Sequence, residues 1–478
     1  MQFLTEYTIL ISALAFFAMS LGKFSPSTLR QAALAAAVAA VAAAAASQDY
    51  TGVYFFNAYS IEPFSQVFKL LLCIGLLFVI AMSPGLLGVK ERLNAEYYFF
   101  LFLSVFGLVL MASAAEFLTL VLCLEISSFS VYVIIPFRRK GRGLRAQMEA
   151  ALKYMMFGAL ATGLTLYGIS YVYGITHTTY LNELATIIPG LISTSPMLVI
   201  GFTLILCGIF FKMAMFPLHF WAPDVYQGAA NETTTFVATI PKVGAAVLLL
   251  RIAVLFGQGS DLLTLIISVL AVLSMTVGNL SALVQNDVKR LLAYSSIAHA
   301  GYLMVGIAAG NGEGLTAVSF YITAYLFLNL ACFFVIYHLA PQGSNIRFSD
   351  IRGLYKRSPV LAAVLAAGAV GLAGIPPTVG FMGKFLVFVS AVRQEMYPLV
   401  ILAVINAGVS AFFYLRLIRA AYTRDTEKQI TLHLSPFSKC LGCVLVAVIL
   451  GMGLFPGPAT DLFGQAMKNV VPLASALQ

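Results

Sequence analysis

Charge is what this sequence holds least of. Only 10% of its 478 residues are Asp, Glu, Lys or Arg, against about 25% in an average soluble domain. That scarcity excludes an ordinary cytosolic enzyme and a disordered chain, both of which depend on charge for solubility. Cysteine is sparse and unpatterned. Cys73, Cys123, Cys207 and Cys332 stand singly inside apolar runs, where a thiol behaves as a small hydrophobe. Cys440 and Cys443 form a C-x-x-C without the second pair or nearby His that a zinc site requires. Also missing are a G-x-G-x-x-G after a strand, a G-x-x-x-x-G-K-[ST] loop and any iron–sulfur spacing. The chain thus shows no means of binding nicotinamide, ATP or a redox centre, and redox or ATP energy would have to come from a partner. The formal charge of +9 is scattered through short connections, so it makes no patch for nucleic acid.

What the sequence has is apolar length. Hydrophobic residues make up 60% of it, and its mean hydropathy is +0.94. Spanning a bilayer takes about 20 apolar residues in a helix, whereas barrel strands alternate apolar and polar. Long apolar runs fill most of this chain, so the reading is an all-α polytopic membrane protein. Charged, Gly/Pro and Asn-rich punctuation cuts it into fourteen candidate helices at 3–22, 27–47, 65–85, 97–114, 117–136, 146–174, 196–216, 233–256, 261–281, 288–308, 313–340, 359–390, 395–420 and 436–456. The first has no basic region before it and does not read as a signal peptide. The connections 48–64, 175–195 and 341–358 are too short for a soluble domain.

The cations orient the helices. Of the 28 Lys and Arg, twenty lie in or beside connections that follow odd-numbered helices, from Lys23 and Arg30 to Arg424, Lys428 and Lys439. Only Arg251, Arg393 and Lys468 lie on the other side. The positive-inside rule then puts the odd connections in the cytoplasm and both termini outside.

Five lysines remain inside the predicted spans: Lys69, Lys153, Lys212, Lys242 and Lys384. A charge at mid-membrane costs about 2.5–3.5 kcal/mol on insertion scales, so each calls for a reason. Lys69 lies near the outer end of the third helix, where its stem can snorkel to the headgroups. Lys153 follows Glu149 by four residues on one helix face, which fits a structural pair as well as a working residue. Lys212 precedes Pro217, Lys242 follows Pro241, and Lys384 follows Pro376-Pro377. A proline lacks the N–H that continues a helix. The carbonyls it frees are tolerable at membrane depth only inside protein or beside a hydrated cavity. A lysine next to such a break reads as part of an ion pathway. Glu125, in the fifth helix, is either neutral and bonded to nearby hydroxyls or paired with a cation. His299, in the tenth, is either a packed core histidine or a relay, and the lysines around it favour the relay.

Helices 4–8 and 9–13 each form a set of five whose fourth member carries a break, Pro217 in one and Pro376-Pro377 in the other. Five is odd, so the second set enters from the opposite side and the repeat is inverted. The chain divides into an N-terminal three-helix segment (1–96), two repeats (97–256 and 257–421) and a C-terminal helix with its tail (422–478).

At these residues a family resemblance becomes specific. Phe211-Lys212-Met213 leading to Pro217-Leu218-His219-Phe220-Trp221-Ala222-Pro223-Asp224-Val225-Tyr226-Gln227-Gly228-Ala229 resembles the signature of the antiporter-like subunits of respiratory complex I. Ala238-Thr239-Ile240-Pro241-Lys242-Val243 and Tyr294-Ser295-Ser296-Ile297-Ala298-His299-Ala300-Gly301-Tyr302 fit the same family. The resemblance implies one proton channel, with a Glu125–Lys212 ion pair, a central Lys242 and Lys384 toward the outer side. It also implies membrane-arm partners (other antiporter-like and quinone-site subunits), with NADH, FMN, Fe–S clusters and quinone held by partner subunits and none by this chain. Within the family, the length and the Lys on helix 12 resemble neither the largest subunit, with its long lateral helix, nor the middle one, with Glu on helix 12. One departure is Ala229-Ala230-Asn231-Glu232, where the family commonly has Ala-Pro-Thr-Pro; it is expected to alter only a cytoplasmic turn. Two other functions compete: an Mrp-type cation/proton antiporter without redox coupling, and an inert membrane spacer. Four buried ionisable groups costing roughly 10 kcal/mol to insert argue against the spacer.

Overall fold

The computed structural model describes residues 2–83, 85–139, 144–256, 260–341, 343–423 and 432–468. Of the cations used for orientation, Lys140, Arg142, Arg424 and Lys428 lie outside these residues, as does the side chain of Arg145.

The N-terminal segment comprises α1 (Leu4–Ser20), α2 (Pro26–Ala46), a hairpin of β1 (Gly52–Tyr54) and β2 (Tyr59–Ile61), and α3 (Pro63–Met82). Next come α4 (Asn94–Ser113), α5 (Phe117–Ile134), α6 (Leu144–Thr176), α7 (Leu181–Leu191), α8 (Pro196–Met213), α9 (Trp221–Gly228) and α10 (Asn231–Phe256). The second half holds α11 (Asp261–Leu283), α12 (Val288–Ala308), α13 (Gly312–Leu339), the single turns α14 (Phe348–Ile351) and α15 (Leu354–Arg357), α16 (Pro359–Ala373) and α17 (Val379–Val392). The chain closes with α18 (Tyr397–Tyr422), α19 (Pro436–Leu454) and α20 (Gly457–Lys468).

Twelve described helices are long and apolar enough to cross a membrane, while α1, α16 and α17 are shorter apolar helices. Local chemistry sets their starts. Ser25, Ser260, Asp287, Asn311 and Ser435 accept N–H bonds from the first turns of α2, α11, α12, α13 and α19, supplying partners that a helix N-terminus lacks. Pro26, Pro63, Pro196, Pro359 and Pro436 each open a helix, where their missing N–H has no cost.

Three predicted connections hold structure that pattern reading left out. The β1–β2 hairpin occupies 48–64, α7 occupies 175–195, and α14 and α15 occupy 341–358. The predicted helix 359–390 is two helices, α16 and α17, and 196–216 stops at Met213. Burial ranks the helices. α10 and α13 are wholly buried and α12 nearly so, whereas α2, α6, α11, α18 and α19 bury a third or less of their spans. Leu265, Val269, Ile401, Ile405 and Phe412 point outward from α11 and α18, as lipid-facing residues do. Polar groups on α10, α12 and α13 are therefore enclosed by protein and screened from lipid.

Candidate functional site

Two helix breaks create the polar interior. α8 ends at Met213, Ala214 turns left-handed (φ 58°), and Phe216–Pro217 is cis before α9 begins. α16 ends at Ala373, Gly374 turns left-handed (φ 82°), and Pro376–Pro377 is cis before α17 begins. The two breaks are built alike, and each leaves carbonyls without helical partners.

Lys384 fills one of them. Its ammonium donates to the carbonyls of Leu372 at 3.0 Å and Ala373 at 3.1 Å, the last of α16. It is 4% exposed and stands 4.8 Å from the Tyr302 ring centre, a favourable cation–π distance. At the other break the Trp221 indole N–H takes the Phe211 carbonyl at 2.9 Å. Lys212 beside it is 2% exposed and its ammonium makes no hydrogen bond.

The expected Glu125–Lys212 ion pair is not formed. Glu125 accepts a hydrogen bond from the Thr162 hydroxyl of α6 at 2.5 Å. Lys212 lies within electrostatic reach of the carboxylate, but among the described residues no ion pair within 4.0 Å joins them. The hydroxyl that α6 brings to the carboxylate has taken the place assigned to the cation.

Pro241 also requires correction: it does not break α10, which is continuous from Asn231 to Phe256. The proline removes one N–H, and the Tyr325 hydroxyl from α13 donates to the Ala238 carbonyl at 3.2 Å close by. Lys242, next along, donates to Ser296 Oγ at 2.6 Å, with the rings of Tyr226 and Tyr325 5.9 and 5.8 Å away.

α12 then carries the polar line onward. Ser296, His299 and Tyr302 recur every three residues and share one helix face. His299 Nδ1 lies 2.5 Å from the Tyr321 hydroxyl and Nε2 lies 3.0 Å from that of Tyr414. Tyr414 in turn bonds the Ser295 hydroxyl. His299 is within electrostatic reach of both Lys242 and Lys384. The order along the line is thus Lys242, bonded to Ser296 and beside the Tyr325 ring, then His299, whose ring centre is 5.6 Å from that of Tyr325 and 5.9 Å from that of Tyr302, then Lys384. From Ser296 to Tyr302 the line advances about 9 Å along α12, six residues at 1.5 Å rise.

Two lysines stand apart. Lys153 is 37% exposed and bonds both Glu149 and Asp224 at 2.6 Å, and Asp224 also holds Arg290 at 2.8 Å. Of its two readings, the geometry is that of the pair with Glu149, extended to pin α9 between α6 and α12. Lys69 does not snorkel. It is fully buried and bonded to Glu6 of α1 at 2.6 Å, with the Tyr59 hydroxyl on the same oxygen at 2.6 Å. Burial, then the Glu6 carboxylate, pushes the Tyr59 phenol well up. The partner lies 63 residues away, beyond the reach of any local pattern. Sequence reading quoted Tyr226, Ser296 and Tyr302 within motifs without giving them a role, and passed over Thr162, Tyr321, Tyr325 and Tyr414. The spacing of the α12 residues and the Tyr321–Tyr325 pair at i, i+4 were the available signals.

Comparison with known proteins finds related chains. The family described as "NADH:quinone oxidoreductase/Mrp antiporter, TM" matches residues 114–410. A relative from Solidesulfovibrio magneticus named NADH-quinone oxidoreductase subunit N 2 is 45% identical over 421 residues, 88% of this chain and 89% of that one. One of the same name from Opitutus terrae is 39% identical over 475 residues, 99% of each chain. Among solved structures, a chain of respiratory complex I from Thermus thermophilus with bound aureothin matches with a TM-score of 0.83 at 31% identity, over 96% of this chain and 98% of that one.

Proposed function

Because the chain belongs to the NADH:quinone oxidoreductase/Mrp antiporter membrane family, we propose that it is the subunit N type of proton-translocating membrane-arm subunit of a complex I. Quinone reduction elsewhere in the assembly drives proton transfer through it. The observation that carries this reading is a contrast between buried lysines. Lys69 has the ion pair of a structural cation. Lys212, Lys242 and Lys384 are as deeply buried and, among the described residues, have no carboxylate within 4.0 Å. Unpaired buried amines are costly as fixed charges and are suited to gaining and losing a proton.

In this reading Lys212, perturbed through Glu125, and Lys242 receive the proton, His299 with Tyr321 and Tyr414 passes it on, and Lys384 delivers it outward. Repulsion between like charges in a low-dielectric interior drives each step. Lys153 acts at the rim, as an electrostatic anchor of α9. The odd connections face the cytoplasm and both termini face outward. NADH, FMN, Fe–S clusters and quinone belong to partner subunits, and the residue divisions 1–96, 97–256, 257–421 and 422–478 correspond to the N-terminal segment, the two repeats and the C-terminal part.

The test is proton translocation by the intact assembly in sealed vesicles. Lys242→Met and Lys242→Arg should each lower it at least tenfold while the subunit still incorporates, because arginine keeps the charge but cannot release the proton. An Arg variant as active as wild type would make Lys242 an electrostatic post. Purification distinguishes the Mrp-type alternative: co-purification with redox subunits and NADH-driven pumping support the complex I reading, and a stable antiporter assembly without them would replace it.

A further inference from the structure

The Ala229-Ala230-Asn231-Glu232 segment is more than a turn. Lys289, fully buried at the start of α12, donates to the Ala229 carbonyl at 3.0 Å and to Asn231 Oδ1 at 3.1 Å. Asn231 Nδ2 donates to the Ala340 carbonyl at 2.7 Å. Arg138 holds the carbonyls of Gln227 and Gly228 at 2.9 Å each, and that of Gly343 from the other half of the chain at 2.5 Å. Glu232, 3% exposed, accepts the Gly88 N–H at 3.0 Å on Oε1, while Oε2 is buried without a partner. Its cover is the connection around Gly88, whose carbonyl accepts from the Arg139 N–H at 2.7 Å. A Cβ at Gly88 would lie 2.6 Å from Oε2, so the glycine lets this connection close over the carboxylate without displacing it.

A buried carboxylate with a free oxygen, under a thin loop, begins a polar stripe. Glu232, Thr235, Thr239 and Lys242 follow at spacings of three, four and three residues and so lie on one face of α10. Both threonines are buried, and their hydroxyls donate to their own helix, Thr235 to Asn231 at 2.7 Å and Thr239 to Thr235 at 2.6 Å. Having donated, each oxygen keeps lone pairs to accept from an incoming proton carrier. At 1.5 Å per residue the stripe is about 15 Å long.

We propose that Glu232 is the proton-loading residue for Lys242, taking protons from the face of the membrane at which α10 begins. In the transfer, the carboxylic acid O–H breaks, an N–H forms on the neutral Lys242 amine, and carboxylate and ammonium result. Thr235, Thr239 and intervening water carry the proton between them. Lys289 on α12 and Arg138 after α5 then hold the carboxylate until it is reloaded. The other titratable groups facing Glu232 are Tyr97 and Tyr98 of α4 and Tyr337 of α13. This inference rests on the proton-transfer role of Lys242.

Glu232→Gln is the decisive variant, because the amide oxygen still accepts the Gly88 N–H and a purely structural role would survive. Proton translocation by the intact assembly in vesicles should fall at least tenfold with normal incorporation, and Glu232→Asp should restore at least a third of it. Thr239→Val, which keeps the shape and removes the hydroxyl, should slow translocation severalfold and stands in if Glu232→Gln does not assemble. Wild-type pumping in Glu232→Gln, or in Thr239→Val where Gln is not incorporated, overturns the proposal. Lys242→Met in the same preparation separates the two readings. If it is inactive while Glu232→Gln pumps normally, only the loading role fails; if it pumps normally, the role of Lys242 fails first.

Discussion

A buried ammonium needs a reason to stay, and four of the enclosed lysines solve the problem differently. Lys384 is held by carbonyls that a helix break sets free, Lys242 by a hydroxyl and two aromatic faces, and Lys212 by electrostatic reach alone. Lys69 takes the conventional solution, a carboxylate at contact distance. That difference predicts different consequences of removal. Lys69→Met strands the Glu6 charge, which already has one oxygen without a partner, and breaking one side of a buried pair costs about 3–5 kcal/mol. The variant should unfold at markedly lower temperature and incorporate poorly. The double change Glu6→Gln with Lys69→Met removes the stranded charge and should recover most of the loss, measured as thermal stability of the purified assembly. Equal damage in the single and double variants would mean that shape, and not charge, is what this pair supplies.

At the scale of the helix, the two breaks differ in one informative respect. Both require a left-handed residue, and one has Gly374 where the other has Ala214. A left-handed residue with a Cβ costs about 1–2 kcal/mol. Ala214→Gly should therefore stabilise the assembly by about 1 kcal/mol with little change in pumping, after allowing for the extra flexibility of glycine when unfolded. Gly374→Ala should cost at least as much in the other direction. Its Cβ would lie 2.9 Å from Lys384 Cδ, so pumping should fall more than stability does. Thermal unfolding and translocation measured on the same preparations check both, and an Ala214→Gly variant less stable than wild type would refute the strain argument. The breaks themselves were legible, because Pro217 and Pro376-Pro377 announce them in the sequence. Pro241 carries the same letter and makes no break, since α10 runs through it enclosed by neighbouring helices. The mapping from proline to break depends on what packs alongside, and that information is tertiary.

Over the whole molecule the same limit recurs. Apolar periodicity and charge punctuation were enough to read an all-α chain of many apolar helices, because membrane insertion is decided largely by local composition, but not every division within it, since the predicted span 359–390 is two shorter helices. The partners of buried charges were not locatable, since Glu6, Thr162, Ser296 and Tyr414 meet their lysine, glutamate or histidine only when distant helices pack. What packing adds is order. The first half supplies Lys212 and Lys242, the second supplies His299 and Lys384, and the face of α12 joins them. If this is one line, its steps act in series, and a serial path obeys a different arithmetic from independent sites. Resistances in series add, so two slow steps together delay a proton by roughly the sum of their separate delays. Independent contributions to one barrier multiply instead. His299→Ala and Lys384→Met should each reduce proton translocation severalfold or more in vesicles containing the whole assembly. The double variant should then be slower than the worse single by no more than about twofold. Losses that multiply would place the histidine and the lysine on one shared step, and the relay along α12 would have to be redrawn.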